Sequence, residues 1–246
     1  MPDEARPLLA IEREADCWTL VLDRPDKANA LSAELVEALI AGVARAESAG
    51  ASVLVFRGNG RNLSAGFDFS GYEAQSEGDL VLRFVRIETL LQSIARSPCL
   101  TVGFAHGRNF GAGVDLFAAC RWRIASPDAA FRMPGLGFGL VLGTRRFASI
   151  VGRENARSVL ETLATFDAQR AAAMGFATRI AGTDEWPAAM QEARETAALL
   201  TPEARARLYG AVRGDTDDAD LADLVRSASA PGLKERIRQY LAAQRR

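Results

Sequence analysis

The sequence predicts an α/β fold: a spiral of β-β-α repeats, each two strands followed by a helix, leading into a helical C-terminal region. Three observations predict it. Short β-branched apolar runs alternate with stretches of helical periodicity through about residue 185. Turn-forming glycines punctuate two of those runs, at residues 58–60 and 107–113. From about residue 153 helical spacing dominates, with breaks at Gly175, Pro187, Pro202 and Pro231. No internal sequence repeat is detectable, so the repetition lies in element pattern alone. The expected division is a core over residues 1–185 and a helical oligomerisation region over 186–246.

The elements follow in order. Residues 8–12 and 18–22 alternate like two strands around a polar turn. Ser32 reads as an N-cap for a helix over 33–48, because Leu35, Val36, Leu39, Ile40 and Val43 recur at helical spacing. Residues 53–57 form a β-branched strand that ends in Gly58-Asn59-Gly60. Helical periodicity over 80–95 stops before Pro98. A buried strand over 99–105 runs into the glycine-rich stretch, and an apolar helix follows to about residue 119. Shorter strands are expected at 122–126 and 131–133.

Bulk properties exclude several function classes. The chain has 246 residues, 48% hydrophobic and 25% charged, enough apolar material for a real core. With 30 Lys+Arg against 31 Asp+Glu, the charge gives no reason to expect nucleic acid or an acidic membrane as partner. Cys17, Cys99 and Cys120 are odd in number and far apart, matching neither a disulfide framework nor a metal-ligand spacing. The N-terminal stretch carries acid early and lacks an apolar segment of the secretory kind. No run approaches membrane-spanning length. The expectation is a cytoplasmic protein that binds no metal.

Two segments can carry chemistry. In Ser64-Ala65-Gly66-Phe67-Asp68, small residues let the backbone approach a ligand closely and expose the N–H groups that follow. In Gly107-Arg108-Asn109-Phe110-Gly111-Ala112-Gly113, the amides lie between a strand and a helix N-terminus, where unpaired donors favour negative charge. Either segment alone also reads as an ordinary strand-to-helix turn. Neither a GK[ST] nor a G-x-G-x-x-G pattern is present, so a nucleotide phosphate loop is disfavoured.

Together these segments resemble the crotonase (enoyl-CoA hydratase/isomerase) superfamily, and the match continues along the chain. Arg24-Pro25-Asp26-Lys27-Ala28-Asn29-Ala30-Leu31 is similar to the family's N-terminal signature, a loop that wraps the adenine end of coenzyme A. Ser64–Asp68 and His106-Gly107 with Gly111-Ala112-Gly113-Val114-Asp115-Leu116 resemble its two oxyanion segments. Phe131-Arg132-Met133-Pro134-Gly135 falls on its F-G-x-P-E motif.

The resemblance implies an acyl-CoA substrate, with coenzyme A entering as part of that substrate and no covalently bound cofactor. It implies oxyanion donation by the N–H groups of Phe67 and Ala112. It places Lys27, Ala28, Ala30, Ser64, Ala65, Gly66, Asp68, Gly111 and Gly135 along CoA and substrate, and implies a homotrimer or homohexamer. Hydratases of the family carry two glutamates; here Asp115 stands at the first position and Gly135 at the second. Asp115 is therefore expected as general acid/base, and efficient hydration is not expected. The alternative is a catalytically weak or inactive acyl-CoA-binding homologue, with Asp115 merely complementing a helix dipole.

Other residues carry smaller expectations. His106 is the single histidine and reads as structural. Asp68 is expected to brace the oxyanion turn. Glu88 is expected on a solvated helix face, as the spare carboxylate. Arg132 is expected to narrow the pocket or pair with Asp115. Arg236, Arg238, Arg245 and Arg246 are expected on a solvated helix face or in a weak contact to CoA phosphates.

Overall fold

A computed structural model of the chain describes residues 7–244. Strands β1 (Leu9–Glu14) and β2 (Cys17–Leu22) pair antiparallel, Leu9 opposite Leu22. Helix α1 (Ala33–Ser48) follows, its N-terminus capped by the Ser32 hydroxyl accepting from Leu35 N–H at 3.3 Å. Strand β3 (Val53–Gly58) precedes α2 (Glu77–Arg96), which starts in a Ser76/Asp79 capping box, one turn before the periodicity predicts. Then come β4 (Leu100–Ala105), β5 (Arg108–Phe110), α3 (Ala112–Ala118), β6 (Trp122–Ala125) and β7 (Ala130–Arg132). Helices α4 (Thr144–Val151) and α5 (Arg153–Thr162) lead to β8 (Phe166–Asp167), α6 (Ala168–Ala173) and β9 (Arg179–Ile180). The chain ends in α7 (Trp186–Ala198), α8 (Pro202–Val212), α9 (Asp217–Ala228) and α10 (Leu233–Ala243).

The strands sort into two sheets. The larger runs β1-β2-β3-β4-β6-β9, parallel except for β1. The smaller runs β5-β7-β8. Successive strand–strand–helix units thus place one strand in each sheet, β4 with β5 before α3 and β6 with β7 before α4. The expected spiral of mixed α and β elements is what the chain adopts.

Burial explains the patterning. All six residues of β2 and of β4 are buried, as parallel strands covered on both faces require. One face of the large sheet packs on α1, α2 and α3; the other, with Val53, Val55, Val102 and Phe104, lies under Ala189, Ala193 and Ala197 of α7. Phe117, Phe131 and Phe166 stack at 5.3 and 5.4 Å beneath the small sheet.

The short strands β5, β8 and β9 depart from expectation. The glycine-rich stretch after β4 holds the three-residue strand β5, paired parallel with β7. Periodicity could not show it, because three residues are too few to display a period. Gly107, at φ +58°, makes the corner between the sheets, and any Cβ there would overlap the Arg61 carbonyl oxygen.

Candidate active site

The site is assembled by backbone cross-links between distant motifs. After the 3-10 turn Pro25–Lys27, Ala28 and Asn29 adopt positive φ values of 49° and 53°. The buried Asn29 amide donates to the carbonyls of Asn59 and Asn62 at 2.8 and 3.0 Å, and its oxygen accepts from Arg24 N–H at 2.9 Å. Ala65 N–H donates to Ala28 O, Leu31 N–H to Gly66 O, and Ser64 Oγ to Asn29 O at 2.7 Å. Arg24 spans the junction, donating to Ala30 O at 2.5 Å and pairing with Asp68 at 2.9 Å. Burial pushes the Asp68 carboxyl up, but hydrogen bonds from Ser70 and Arg24 outweigh it and hold the group below the usual carboxylate range. Asp68 braces its turn, as expected.

A second set of bonds joins the two glycine-containing segments. Asn109, fully buried, accepts from Leu63 and Ser64 N–H at 3.1 and 3.3 Å and donates to His106 and Gly107 carbonyls at 3.2 and 3.1 Å. Phe110 N–H donates to Ser64 O. Gly66, at φ +83°, lies so close that a Cβ would stand 3.1 Å from Ala112 N and overlap Phe110 O. The N–H groups of Phe67 and Ala112 are thereby brought near one another. Neither donates to another described residue.

Phe67 and Ala112 both line a cavity of about 210 Å³. Of the residues singled out in the sequence, Ala65, Phe67, Gly111, Ala112, Asp115, Arg132 and Gly135 line it; Lys27, Ala28, Ala30, Ser64, Gly66 and Asp68 do not. The latter form the scaffold just described, with Lys27 exposed. Sequence reasoning did not name the apolar wall of Phe69, Phe84, Phe138, Leu140 and Leu142, nor the cover supplied by Tyr240 and Leu241 of α10.

Asp115 is 2% exposed and, among the described residues lining the cavity, is the one carboxylate. Its Oδ1 accepts no hydrogen bond among the described residues. Burial raises its proton affinity well above an ordinary aspartate's; Arg146 opposes that shift and Glu88 adds to it.

Two expectations need correction, for Glu88 and Arg236, and for Arg132 one of two alternatives is excluded. Glu88 is not on a solvated face: it is 1% exposed and paired with Arg146 at 2.9 Å. The sequence did carry the signal, since Glu88 follows Phe84 by four positions and precedes Leu91 by three, within the buried stripe of α2. Arg132 lines the cavity without pairing with Asp115, donating instead to Leu163 O and to the Gln244 side chain, each at 3.0 Å. Arg236 is not solvated either; its guanidinium donates to the carbonyls of Phe138, Ser227 and Ala230 and fastens α10 over the cavity. Arg238 is exposed and pairs with Glu235, while Arg245 and Arg246 lie outside the described residues. His106 does not line the cavity; its Nε2 contacts Gly60 O at 2.9 Å. No cluster able to hold a metal ion occurs among the described residues.

Comparison with known proteins agrees with this architecture. A crystal structure described as a putative enoyl-CoA hydratase/isomerase from Bordetella parapertussis superposes with a TM-score of 0.94 at 60% identity, covering 96% of this chain and 98% of that one. An enoyl-CoA hydratase structure from Bacillus halodurans, 20% identical over 95% of this chain and 100% of that one, shares the fold at a TM-score of 0.84. "Probable enoyl-CoA hydratase echA6" of Mycobacterium leprae is 30% identical over 88% of this chain and 85% of its own length. The sequence model of the family described as enoyl-CoA hydratase/isomerase matches residues 12–225, and the chain belongs to that family.

Proposed function

We propose that the protein processes an acyl-CoA thioester, moving a double bond within the acyl chain rather than hydrating it. The observation that carries this reading is that Asp115 is the one carboxylate among the described residues lining a cavity that Phe67 and Ala112 also line. The thioester carbonyl oxygen lies between those two N–H groups, which stabilise the enolate that forms as a proton leaves the α-carbon. Asp115 takes that proton and returns it two carbons further along. One carboxylate suffices for such a shuttle. Hydration asks for a second group to activate water, and Gly135 supplies none. A relative from Arabidopsis thaliana, 26% identical over 69% of this chain, bears the name Delta(3,5)-Delta(2,4)-dienoyl-CoA isomerase, which supports isomer chemistry within reach of this sequence.

The loop of Lys27, Ala28 and Ala30 takes the adenine end of coenzyme A, and no other cofactor enters the reaction. The protein works in the cytoplasm as a homotrimer or homohexamer, with residues 1–185 forming the catalytic core and 186–246 contributing to assembly. The deciding experiment offers 3-enoyl-CoA and crotonyl-CoA to the wild type and to Asp115→Asn. Isomerisation by the wild type, slow hydration, and loss of isomerisation in the variant are expected. Acyl-CoA binding without turnover of either would favour the second reading, a non-catalytic binding homologue, for which Gly135 in place of glutamate is the motive.

A further inference from the structure

The Asp115 carboxyl stands against Gly143, the N-cap of α4, and the first turn of that helix carries one of two buried groups that the proposed chemistry does not use. Glu88 on α2 is 1% exposed, and the Arg146 side chain on α4 is 10% exposed. Arg146 Nη2 donates to Glu88 Oε1 at 2.9 Å, and Gln92 Nε2 donates to the same oxygen at 3.1 Å. Every hydrogen bond these donors make to a carboxylate goes to Glu88, while Asp115 Oδ1 receives none. The arrangement sets two buried carboxylates against a single guanidinium.

Burial raises the proton affinity of both carboxylates; at Glu88 the charge of Arg146 and the bonds from Arg146 and Gln92 oppose that rise, whereas Asp115 Oδ1 has no bonded partner to do so. We propose that Glu88 and Arg146 are positioning residues for Asp115: by engaging the guanidinium, Glu88 keeps Arg146 from bonding Asp115, whose carboxylate, once ionised, stands unpaired and free to take the substrate's α-proton. The proposal rests on the assignment of Asp115 as the reacting acid/base. Its consequence is a rate that rises with pH as Asp115 gives up its proton, along a limb displaced from the ordinary aspartate range. Burial followed by Glu88 sets that displacement, and Arg146 limits it.

The surrounding charges are accounted for. On α9, Asp220 adds to the negative field at Glu88 and pairs with Arg145 at 3.2 Å; Arg145 also meets Asp223 at 2.6 Å. Arg132 of β7 and Tyr240 of α10 share the cavity, with Arg132 bonded elsewhere as described. None of these groups makes a hydrogen bond to Asp115.

The test compares wild type, Glu88→Gln and Arg146→Gln by two readouts. One is the pH profile of kcat/KM for 3-enoyl-CoA. The other is the infrared band of the protonated Asp115 carboxyl, identified by its disappearance in Asp115→Asn. Glu88→Gln frees Arg146 for Asp115, so the limb and the band titration are expected to move down together by about one pH unit or more, the size an opposite charge commonly gives. Arg146→Gln is expected to move both upward. Thermal melting and CoA binding identify any variant that has lost its fold, in which case Glu88→Asp, which keeps the charge, is expected to retain the wild-type titration. Titrations unmoved in folded variants would overturn the proposal. A band that moves in a protein without isomerase activity would support the device and reject the assigned reaction.

Discussion

Gly143 stands directly against the carboxyl group of Asp115: a Cβ built on this glycine would overlap Asp115 Oδ1. Gly143 is also the N-cap of α4 at φ +63°, a conformation that L side chains adopt at a cost. One residue therefore turns the chain into α4 and leaves room for the acid. Gly143→Ala is expected to destabilise the fold by about 1–3 kcal/mol through backbone strain and overpacking. By displacing Asp115 about 1 Å, it is expected to lower kcat on the order of 10²-fold. Urea unfolding and steady-state kinetics read the two effects separately.

The raised proton affinity of Asp115 has a defined sign in stability. Below the ordinary aspartate range both the folded and the unfolded chain hold the proton, and the group contributes nothing. As pH rises through that range the unfolded chain releases its proton while the folded chain keeps it, so stability falls, levelling off above the raised folded value. Asp115→Asn removes this loss. The difference in Tm between variant and wild type is expected to grow in the variant's favour as pH rises above about 4, while turnover drops about 10²–10⁴-fold. A pH-independent difference would show that burial does not hold the proton on Asp115.

Ala112→Pro deletes one proposed oxyanion donor without touching a side chain that binds. Proline is accepted at the first position of a helix, and Ala112 opens α3. Gly111, at φ 46° and ψ −123°, lies in the mirror image of the extended region that residues before proline prefer. Turnover is expected to fall by about 10²–10³-fold with the fold retained. Unchanged kcat/KM in a folded variant would remove Ala112 from the reaction.

Gly135→Glu tests the missing second acid. Gly135 lines the cavity, and a Cβ there would meet Leu140 O at 3.2 Å, a contact that a shift of a few tenths of an ångström relieves. Crotonyl-CoA hydration is expected to rise by about 10²-fold, the lower end of what a general acid–base group contributes. Spectrophotometric loss of the enoyl absorbance follows it directly.

Asn109 is the joint between the two glycine-containing segments. Asn109→Ala leaves the buried N–H groups of Leu63 and Ser64 without their acceptor. A loss of about 2–4 kcal/mol is expected, from the cost of unsatisfied buried amides. Because the same bonds hold Phe67 near Ala112, oxyanion-dependent turnover is expected to fall further than binding of free coenzyme A.

What the sequence determined by itself was local. Ser32 announced α1 because an N-cap hydroxyl satisfies amides within one turn; β2 read as a strand from its alternation and β4 from its buried apolar run. The glycines around Phe67 and Ala112 were visible as short-range features of the chain, and the family resemblance of the segments that hold them pointed to Asp115. What only the tertiary structure decided was which distant groups meet. The division of β4 and β5 between two sheets depends on the Gly107 corner, and β5 is too short to carry a period. Glu88 sat in the apolar stripe of α2, but its partner Arg146 lies 58 positions away, on a helix whose packing no local pattern encodes. The cover from α10 likewise depends on Arg236 reaching the carbonyl of Phe138 across 98 positions. Spacing and caps act within a turn or two of chain, whereas the proton affinity of Asp115 is set by desolvation and by charges that arrive only when the whole chain has packed.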